Sequence, residues 1–157
     1  MIILALDPGS ENTAWCLFDT VNEDPLYWGL ESNKEVLYKV KTNSFPITYN
    51  HLVVEMIQSF GMPVGQTVFT TCVWIGRFIE AWQKQYTFVY RNEEKIEICN
   101  SMKANDATIK QALIDIYGPP GTKKNPGKLF GMSKDMWSAL AVAVTFTRIY
   151  GGSNVRV

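Results

Sequence analysis

An acid stands at the end of the first apolar segment of this chain, which opens MIILALDPGS. Residues 2–7 form a near-continuous apolar run, and such a run is typical of a central strand that is covered on both faces. The Pro-Gly pair that follows predicts a turn, so Asp7 is expected at the carboxyl end of the strand. Asp-Pro-Gly is also a common turn sequence, which leaves Asp7 as either a turn residue or a ligand.

The segments after this strand predict a mixed α/β domain. Residues 13–20 (TAWCLFDT) and 26–32 (LYWGLES) are mostly apolar and complete an antiparallel meander of three strands, whereas residues 33–50 have no clear pattern. A fourth strand, HLVVEMI (51–57), places a second acid, Glu55, after its apolar stretch. Strands followed by alternating helices and strands indicate a single α/β domain over residues 1–157.

The second half of the chain alternates between helical and extended patterns. Apolar residues at intervals of three and four predict a helix from Thr67 to Gln85. YTFVYRN (86–92) and KIEIC (95–99) are predicted strands, and DATIKQALIDIYG (106–118) is a predicted helix. A loop rich in proline and glycine (119–131) precedes the last predicted helix, residues 133–152, with Ser133 as its N-cap.

The composition is that of an ordinary globular protein, with 46% apolar and 19% charged residues. The sequence has no run of 18 apolar residues and no signal-peptide pattern, which predicts a cytoplasmic protein without a membrane segment. Cys16, Cys72 and Cys99 are far apart and form no Cys-x-x-Cys pair. We therefore expect small buried apolar residues in a reducing compartment rather than a disulfide framework or a zinc site.

Positive charge is concentrated in one part of a chain whose net charge is zero. Between residues 100 and 134 there are six lysines and two acids, a local excess of +4. Such a cluster is either a phosphate-facing patch or a solvated surface. The lysines are Lys103, Lys110, Lys123, Lys124, Lys128 and Lys134.

Three acids occupy positions from which they can meet. Asp7 and Glu55 share one edge of the sheet if their strands are neighbours and parallel, and a last helix starting there would bring Asp135 to the same place. Carboxylates so close repel one another unless a divalent cation binds among them, and carboxylate oxygens suit Mg²⁺ or Mn²⁺. Asp135 alone is also explained as a helix-dipole partner. His51, the only histidine, is either a strand-edge residue or a metal or base residue.

Three stretches of the chain together resemble the RuvC-type Holliday-junction resolvases of the RNase H-like superfamily. They are ILALDPGSENTAW (3–15), LVVEMIQSFGM (52–62) and KDMWSALAVAVTF (134–146). The resemblance implies an RNase H-like α/β fold, in which a mixed central sheet has three antiparallel first strands and helices on both faces. It also implies a homodimeric endonuclease that cuts four-way DNA junctions with Mg²⁺, for which Mn²⁺ substitutes. The compact size and aromatic content suit a phage or plasmid member.

The resemblance assigns most of the catalytic residues by position. Asp7, Glu55 and Asp135 match three of the four acidic metal ligands that are usual in the family, and Lys103 resembles a catalytic lysine that approaches the scissile phosphate. The fourth ligand usually lies one helical turn after the third, where this chain has Ser138. A serine is a poor substitute for a carboxylate, so the alternatives are an active nuclease with a weaker metal site and a junction-binding protein that no longer cuts.

Other residues take expected roles from the same resemblance. Phe60, with Met62 as second choice, would stack on DNA bases at the junction centre, although Phe60 is also a candidate core residue. The predicted DNA-contacting lysines are Lys103, Lys110, Lys123, Lys124 and Lys128. The predicted dimer-forming surface of the 67–85 helix consists of Phe69, Trp74, Phe78 and Trp82. An RNA-directed nuclease of the same superfamily is a rival interpretation. An actin-like ATPase is disfavoured, because 157 residues cannot hold its two domains.

Overall fold

The computed structural model describes residues 1–151 and contains one five-stranded sheet within them. Residues 152–157, where the predicted last helix and the predicted 1–157 domain end, lie outside the described residues. The strands are β1 (Ile2–Pro8), β2 (Asn12–Asp19), β3 (Asp24–Ser32), β4 (His51–Met56) and β5 (Tyr86–Tyr90). Their spatial order is β3-β2-β1-β4-β5. The first three strands are antiparallel, as predicted, and β4 is parallel to both β1 and β5.

Helices cover both faces of the sheet, because β1 and β4 alternate apolar residues between two cores. Leu4 and Leu6 pack with α1 and α2 on one face, whereas Ile3 and Ala5 pack with α4 and α5 on the other. Helix α3 contacts both α4 and α5. None of the helices within residues 1–151 is both long and apolar enough to cross a membrane. The helices are α1 (Asn33–Thr42), α2 (Gln66–Trp82), α3 (Arg91–Cys99), α4 (Asp106–Tyr117) and α5 (Met136–Tyr150).

Helix α1 lies within residues 33–50, for which no helix or strand was predicted. Its start is a capping box, in which the Ser32 hydroxyl accepts the Glu35 N–H at 3.3 Å and the Glu35 carboxylate accepts the Ser32 N–H at 3.1 Å. The helix ends at Asn43, which adopts the left-handed conformation with φ of 49°. The Ser-x-x-Glu signature was therefore present in residues 32–35.

The predicted strand 95–99 is wrong, because this segment is the second half of helix α3. The Glu93 carboxylate accepts the Tyr90 backbone N–H at 2.8 Å and thereby fixes the first turn of the helix. Glu94 and Ile98, four residues apart, both face inward: Glu94 is fully buried and Ile98 packs against the core. The alternation of Ile96 and Ile98 suggested a strand, but Ile96 is exposed.

Helix α5 begins two residues later than predicted, with Asp135 rather than Ser133 at its N-cap. The Ser133 carbonyl accepts the Met136 N–H at 3.1 Å in a turn that precedes the helix. Ten of the 15 residues of α5 are buried, and small side chains such as Ala139, Ala141 and Ala143 let its backbone approach β1 and β2. This close packing fixes the N-terminal end of α5 relative to the sheet edge.

Candidate active site

Asp7 and Glu55 lie side by side at the carboxyl ends of two neighbouring parallel strands. The last paired residues of β1 and β4 are Leu6 and Val54, and the two acids follow them directly. Side chains alternate along a strand, so Asp7 points to the same face as Ala5 and Glu55 to the same face as Val53. Ala5 and Val53 pack against α5, and both acids therefore point to the α5 face of the sheet.

The Asp7 carboxyl group is mostly buried, and the Glu55 carboxyl group is close enough to act on it through both charge and hydrogen bonding. Burial is the main cause that raises the pKa of Asp7 well above its ordinary value, and repulsion by Glu55 raises it further. Asp135 and Glu94 act on Asp7 in the same direction. Four acids therefore influence one another at this sheet edge, and three of them are the predicted ligands.

Asp135 lies at the N-cap of α5 but makes no capping hydrogen bond, and its side chain is exposed. Its carboxylate is therefore not held by the helix backbone. Ser138 lies one turn further along α5 and lines the same cavity as Asp135. Asp135 is close enough to Asp7 for its charge to raise the pKa of Asp7, and the roles of Asp135 and Ser138 remain predictions.

The donors at this edge have the chemistry that a hard divalent cation requires, because all are carboxylate oxygens. In the described part of the chain, however, no three acidic, histidine or cysteine side chains are arranged so that they could hold a metal ion together. The Asp7–Glu55 pair is thus the part of the predicted ligand set that is in direct contact. Asp135 acts on Asp7 through its charge.

Glu94 is a buried acid that sequence reasoning missed. Its side chain is 0% exposed, one carboxylate oxygen pairs with Arg91, and the other has no hydrogen-bond partner. Burial and repulsion by Glu55 raise the pKa of Glu94 to about 8, and Arg91 opposes this rise. Because residues 95–99 were expected to form a strand, the inward-facing pair Glu94 and Ile98 went unrecognised.

Arg91 connects helices α3 and α4. Its Nη1 donates to Glu94, and its Nη2 donates to Asp106 in the first turn of α4. Burial lowers the pKa of the Arg91 guanidinium, but the attraction of Glu94 and Glu55 outweighs this and gives a net rise. Arg91 thus places a permanent positive charge beside the acids.

A charged cavity of about 230 Å³ adjoins these residues. Lys110 reaches into it with its ammonium group 5.2 Å from the centre of the Trp137 ring. Three of the lining side chains are cationic and two are acidic, so the charge of the cavity is +1. The polar lining residues are Arg91, Asp106, Lys110, Lys134, Asp135 and Ser138.

The other predicted DNA-contacting lysines lie elsewhere. Lys103 lines a separate, mostly apolar hollow between α3 and α4, away from the cavity that contains Asp135. Lys123 and Lys124 are exposed at the tip of a loop that is closed by a bridge between Gly121 and Pro126. Lys128 forms an ion pair with Asp24, which compensates its charge locally.

The loop between β4 and α2 exposes large apolar side chains. Phe60 is 73% exposed and Met62 is 75% exposed, so the alternative core role for Phe60 is wrong. Single exposed apolar residues are common, but two in one short loop beside Glu55 form a surface that could contact a partner. Their role at a DNA junction stays a prediction.

The predicted dimer surface of α2 needs a correction. Phe78 and Trp82 are buried in the core between the sheet and the α1–α2 layer, so they do not face outward. Phe69 is 55% exposed, and the partly buried Trp74 carries the Arg77 guanidinium 4.2 Å from its ring centre. Val73, which was not predicted, is 63% exposed on the same helix. The outward apolar surface is therefore Phe69, Val73 and Trp74.

His51 is a buried residue of β4 rather than a strand-edge residue. Its Nε2 lies 2.8 Å from the Thr87 hydroxyl, and its ring stacks on Phe146 at 5.4 Å. Burial lowers the pKa of His51, so the neutral form is favoured. These contacts explain the residue by packing and hydrogen bonding.

No protein-family model and no curated protein sequence matches this chain. A structure of RuvC from Thermus thermophilus superposes with a TM-score of 0.67 at 12% identity, covering 95% of this chain and 96% of that one. T. thermophilus RuvC in complex with a Holliday junction substrate superposes with a TM-score of 0.71 at 13% identity, covering 95% and 94%.

The chain has the fold of RuvC. The predicted RNase H-like architecture is therefore confirmed over almost the whole chain. At 12–13% identity, the likeness to RuvC establishes the fold and leaves activity to the residues themselves.

Proposed function

We propose that this chain is a metal-dependent endonuclease that resolves four-way DNA junctions. The observation that carries the proposal is the contact between Asp7 and Glu55 at the carboxyl ends of β1 and β4, in a chain with the RuvC fold. Like charges are rarely buried together without a function for the pair, and Asp135, whose charge acts on Asp7, lines a cavity with cationic walls. Both features suit a site that binds a cation on one side and a phosphate on the other.

In this proposal Asp7 and Glu55 hold a divalent cation, Mg²⁺ or Mn²⁺, with Asp135 assisting. Such an ion supplies an activated water and charge stabilisation for the leaving oxygen of a phosphodiester. The chain's own residues position the substrate. Phe60 and Met62 are exposed for contact with unstacked bases, and the exposed Lys110, Lys123 and Lys124 neutralise phosphates.

Homodimer formation through the outward α2 surface belongs to the same proposal. Phe69 and Val73 expose apolar area on one helix, and two copies related by a two-fold axis would cover it. A paired active site would then make symmetric nicks. Sedimentation of the wild type against Val73→Asp checks this, because an acid on that surface should give a monomer.

The second candidate function is junction binding without cleavage. Ser138 favours it, because the residue one turn after Asp135 carries no carboxylate and no three acids are arranged as a ready metal site within residues 1–151. The fold and the DNA-facing residues would serve this function equally well.

The deciding experiment incubates purified protein with a labelled four-way junction, the matching duplex and a structured RNA, in Mg²⁺ and then Mn²⁺. The endonuclease predicts paired nicks in the junction only, and loss of nicking in Asp7→Asn with junction binding retained. Asp115→Asn, an exposed acid on α4, is the control for the same chemical change. Binding without nicks supports the second candidate, and nicking by Asp7→Asn at the wild-type rate refutes the assignment of Asp7.

A further inference from the structure

We propose that the cavity between α3, α4 and α5 binds a backbone phosphate of the DNA, and that Arg91 is its principal ligand. The inference rests on the proposed function and goes beyond it, because neither the sequence motifs nor the predicted lysine set points to Arg91. The same cavity has Lys110 and Lys134 on its walls.

Arg91 is fixed at one end of its guanidinium group. Nη1 donates to Glu94, which is 0% exposed and belongs to the same helix. A side chain that donates to a fully buried carboxyl group is held in one orientation, since breaking this bond would leave both Glu94 oxygens buried without a hydrogen-bond partner. Arg91 is thus held in place before any ligand arrives.

The other end of the guanidinium is open to exchange. Nη2 donates to Asp106, whose side chain is 91% exposed. An ion pair with so exposed a partner contributes little to stability, because water and salt screen it. A phosphate presents the same kind of oxygen acceptors as a carboxylate and forms two parallel hydrogen bonds with a guanidinium. Asp106 therefore holds the place that a phosphate oxygen would take.

The charges around the cavity suit one phosphate group. The lining contains three cations against Asp106 and Asp135, and the cation excess increases from one to two when Asp106 moves out. The volume of about 230 Å³ is below the range of about 300 Å³ and upward that is usual for small-molecule pockets. A larger cofactor does not fit, whereas a phosphate that protrudes from a DNA strand does.

The position of the cavity relates it to the acid pair. Asp135 and Ser138 belong to its lining, and Asp135 also acts electrostatically on Asp7. A phosphate bound by Arg91 would therefore lie beside the acid cluster. This would fix the register of the strand that is to be cut and would partly offset the repulsion between DNA and the acids.

The test measures junction affinity by fluorescence anisotropy with EDTA present, so that no cleavage occurs. Asp106→Asn is expected to bind about 3–10-fold more tightly than wild type, because it releases Arg91 and removes a negative charge. The variant should keep its fold, since α4 is capped by Asn105, whose side chain accepts the Thr108 N–H at 3.0 Å. Asp115→Asn removes the same charge elsewhere on α4 and is the matched control for the long-range charge effect.

Arg91→Gln is expected to weaken binding about tenfold and to reduce the slope of log affinity against log salt by about one, as for the loss of one phosphate contact. Opposite effects of the two members of one ion pair are the signature of the proposal, since a purely structural pair would move both variants in the same direction. Equal affinities of Asp106→Asn and Asp115→Asn would overturn it, as would wild-type binding by folded Arg91→Gln. If Arg91→Gln does not fold, the junction affinities of Asp106→Asn and Asp115→Asn test the proposal without it. If the wild-type protein binds no junction at all, both the proposed function and this inference are wrong.

Discussion

The acids held by strands and the charges held by helices differ in how the chain fixes them. Asp7 and Glu55 follow paired residues in neighbouring strands, so backbone hydrogen bonds set their separation. Asp135, Glu94 and Arg91 lie on α5 and α3, whose positions depend on side-chain packing against the sheet and against each other. Strand pairing thus places the central pair, while packing tunes the charges around it.

This difference implies unequal consequences when the two kinds of acid are neutralised. Asp7→Asn should reduce single-turnover junction cleavage by at least about 100-fold, the size typical for loss of one preorganised electrostatic group. Asp135→Asn should reduce it by about tenfold, because its carboxylate is exposed and acts on Asp7 through its charge. Melting temperatures of both variants control for folding. If Asp135→Asn cleaved the junction as slowly as Asp7→Asn does, the distinction between acids on strands and acids on helices would be contradicted.

The acidic residues that lie on helices can also be increased in number. Ser138→Asp adds a carboxylate one turn after Asp135 and should raise the cleavage rate at low Mn²⁺ by up to about tenfold, in the lower part of the range seen when groups that support a metal site are changed. Ser133→Asp, in the exposed turn before α5, is the control for an added charge. The same change in rate for both variants would mean that the position of the carboxylate does not matter.

The smallest expected effect concerns pH and stability. The raised pKa of Glu94, about 8, lies above its ordinary value, so the folded protein keeps a proton that the unfolded chain has lost. The contribution of Glu94 to the free energy of unfolding is therefore fully present below the pKa that Glu94 has in the unfolded chain. This contribution is lost as the pH rises toward 8. In a chelating buffer, Glu94→Gln should remove part of this fall. Between low and high pH, the free energy of unfolding should fall by about 1 kcal/mol or more further in wild type than in Glu94→Gln. This corresponds to about 2–4 °C in melting temperature for a chain of this size.

Glu97→Gln, on the same helix, is the control for that measurement, because Glu97 is only partly buried whereas Glu94 is fully buried. Thermal melts from pH 5 to pH 8 test the expectation. Identical pH slopes for wild type and Glu94→Gln would show that Glu94 does not titrate in this range.

The sequence was sufficient for the three antiparallel strands and for the strand ends that carry the acid pair. An apolar run that ends on an acid is a strong local signal, and it occurs twice, at Asp7 and Glu55. Parallel pairing of β1 with β4 then follows from the fold class. The predicted positions agree with the structure because strand geometry leaves little freedom at the end of a paired segment.

The helical part of the site was harder to predict, for physical reasons. KIEIC alternates as a strand does, and only the bond from the Tyr90 N–H to Glu93 and the burial of Glu94 make it helical. Phe78 and Trp82 were expected on the surface because an aromatic-rich helix does not reveal which of its faces meets the sheet. The structure buries them and leaves Phe69 and Val73 outside.

The most direct measurement is the anomalous scattering of Mn²⁺ in crystals of the protein. The account predicts a peak that touches carboxylate oxygens of both Asp7 and Glu55, at about 2.0–2.6 Å, the range for oxygen ligands of hard divalent ions. The same crystals of Asp7→Asn should lack it. A wild-type peak elsewhere, or none between these two side chains at millimolar Mn²⁺, would contradict the claim that this acid pair is the metal-binding centre.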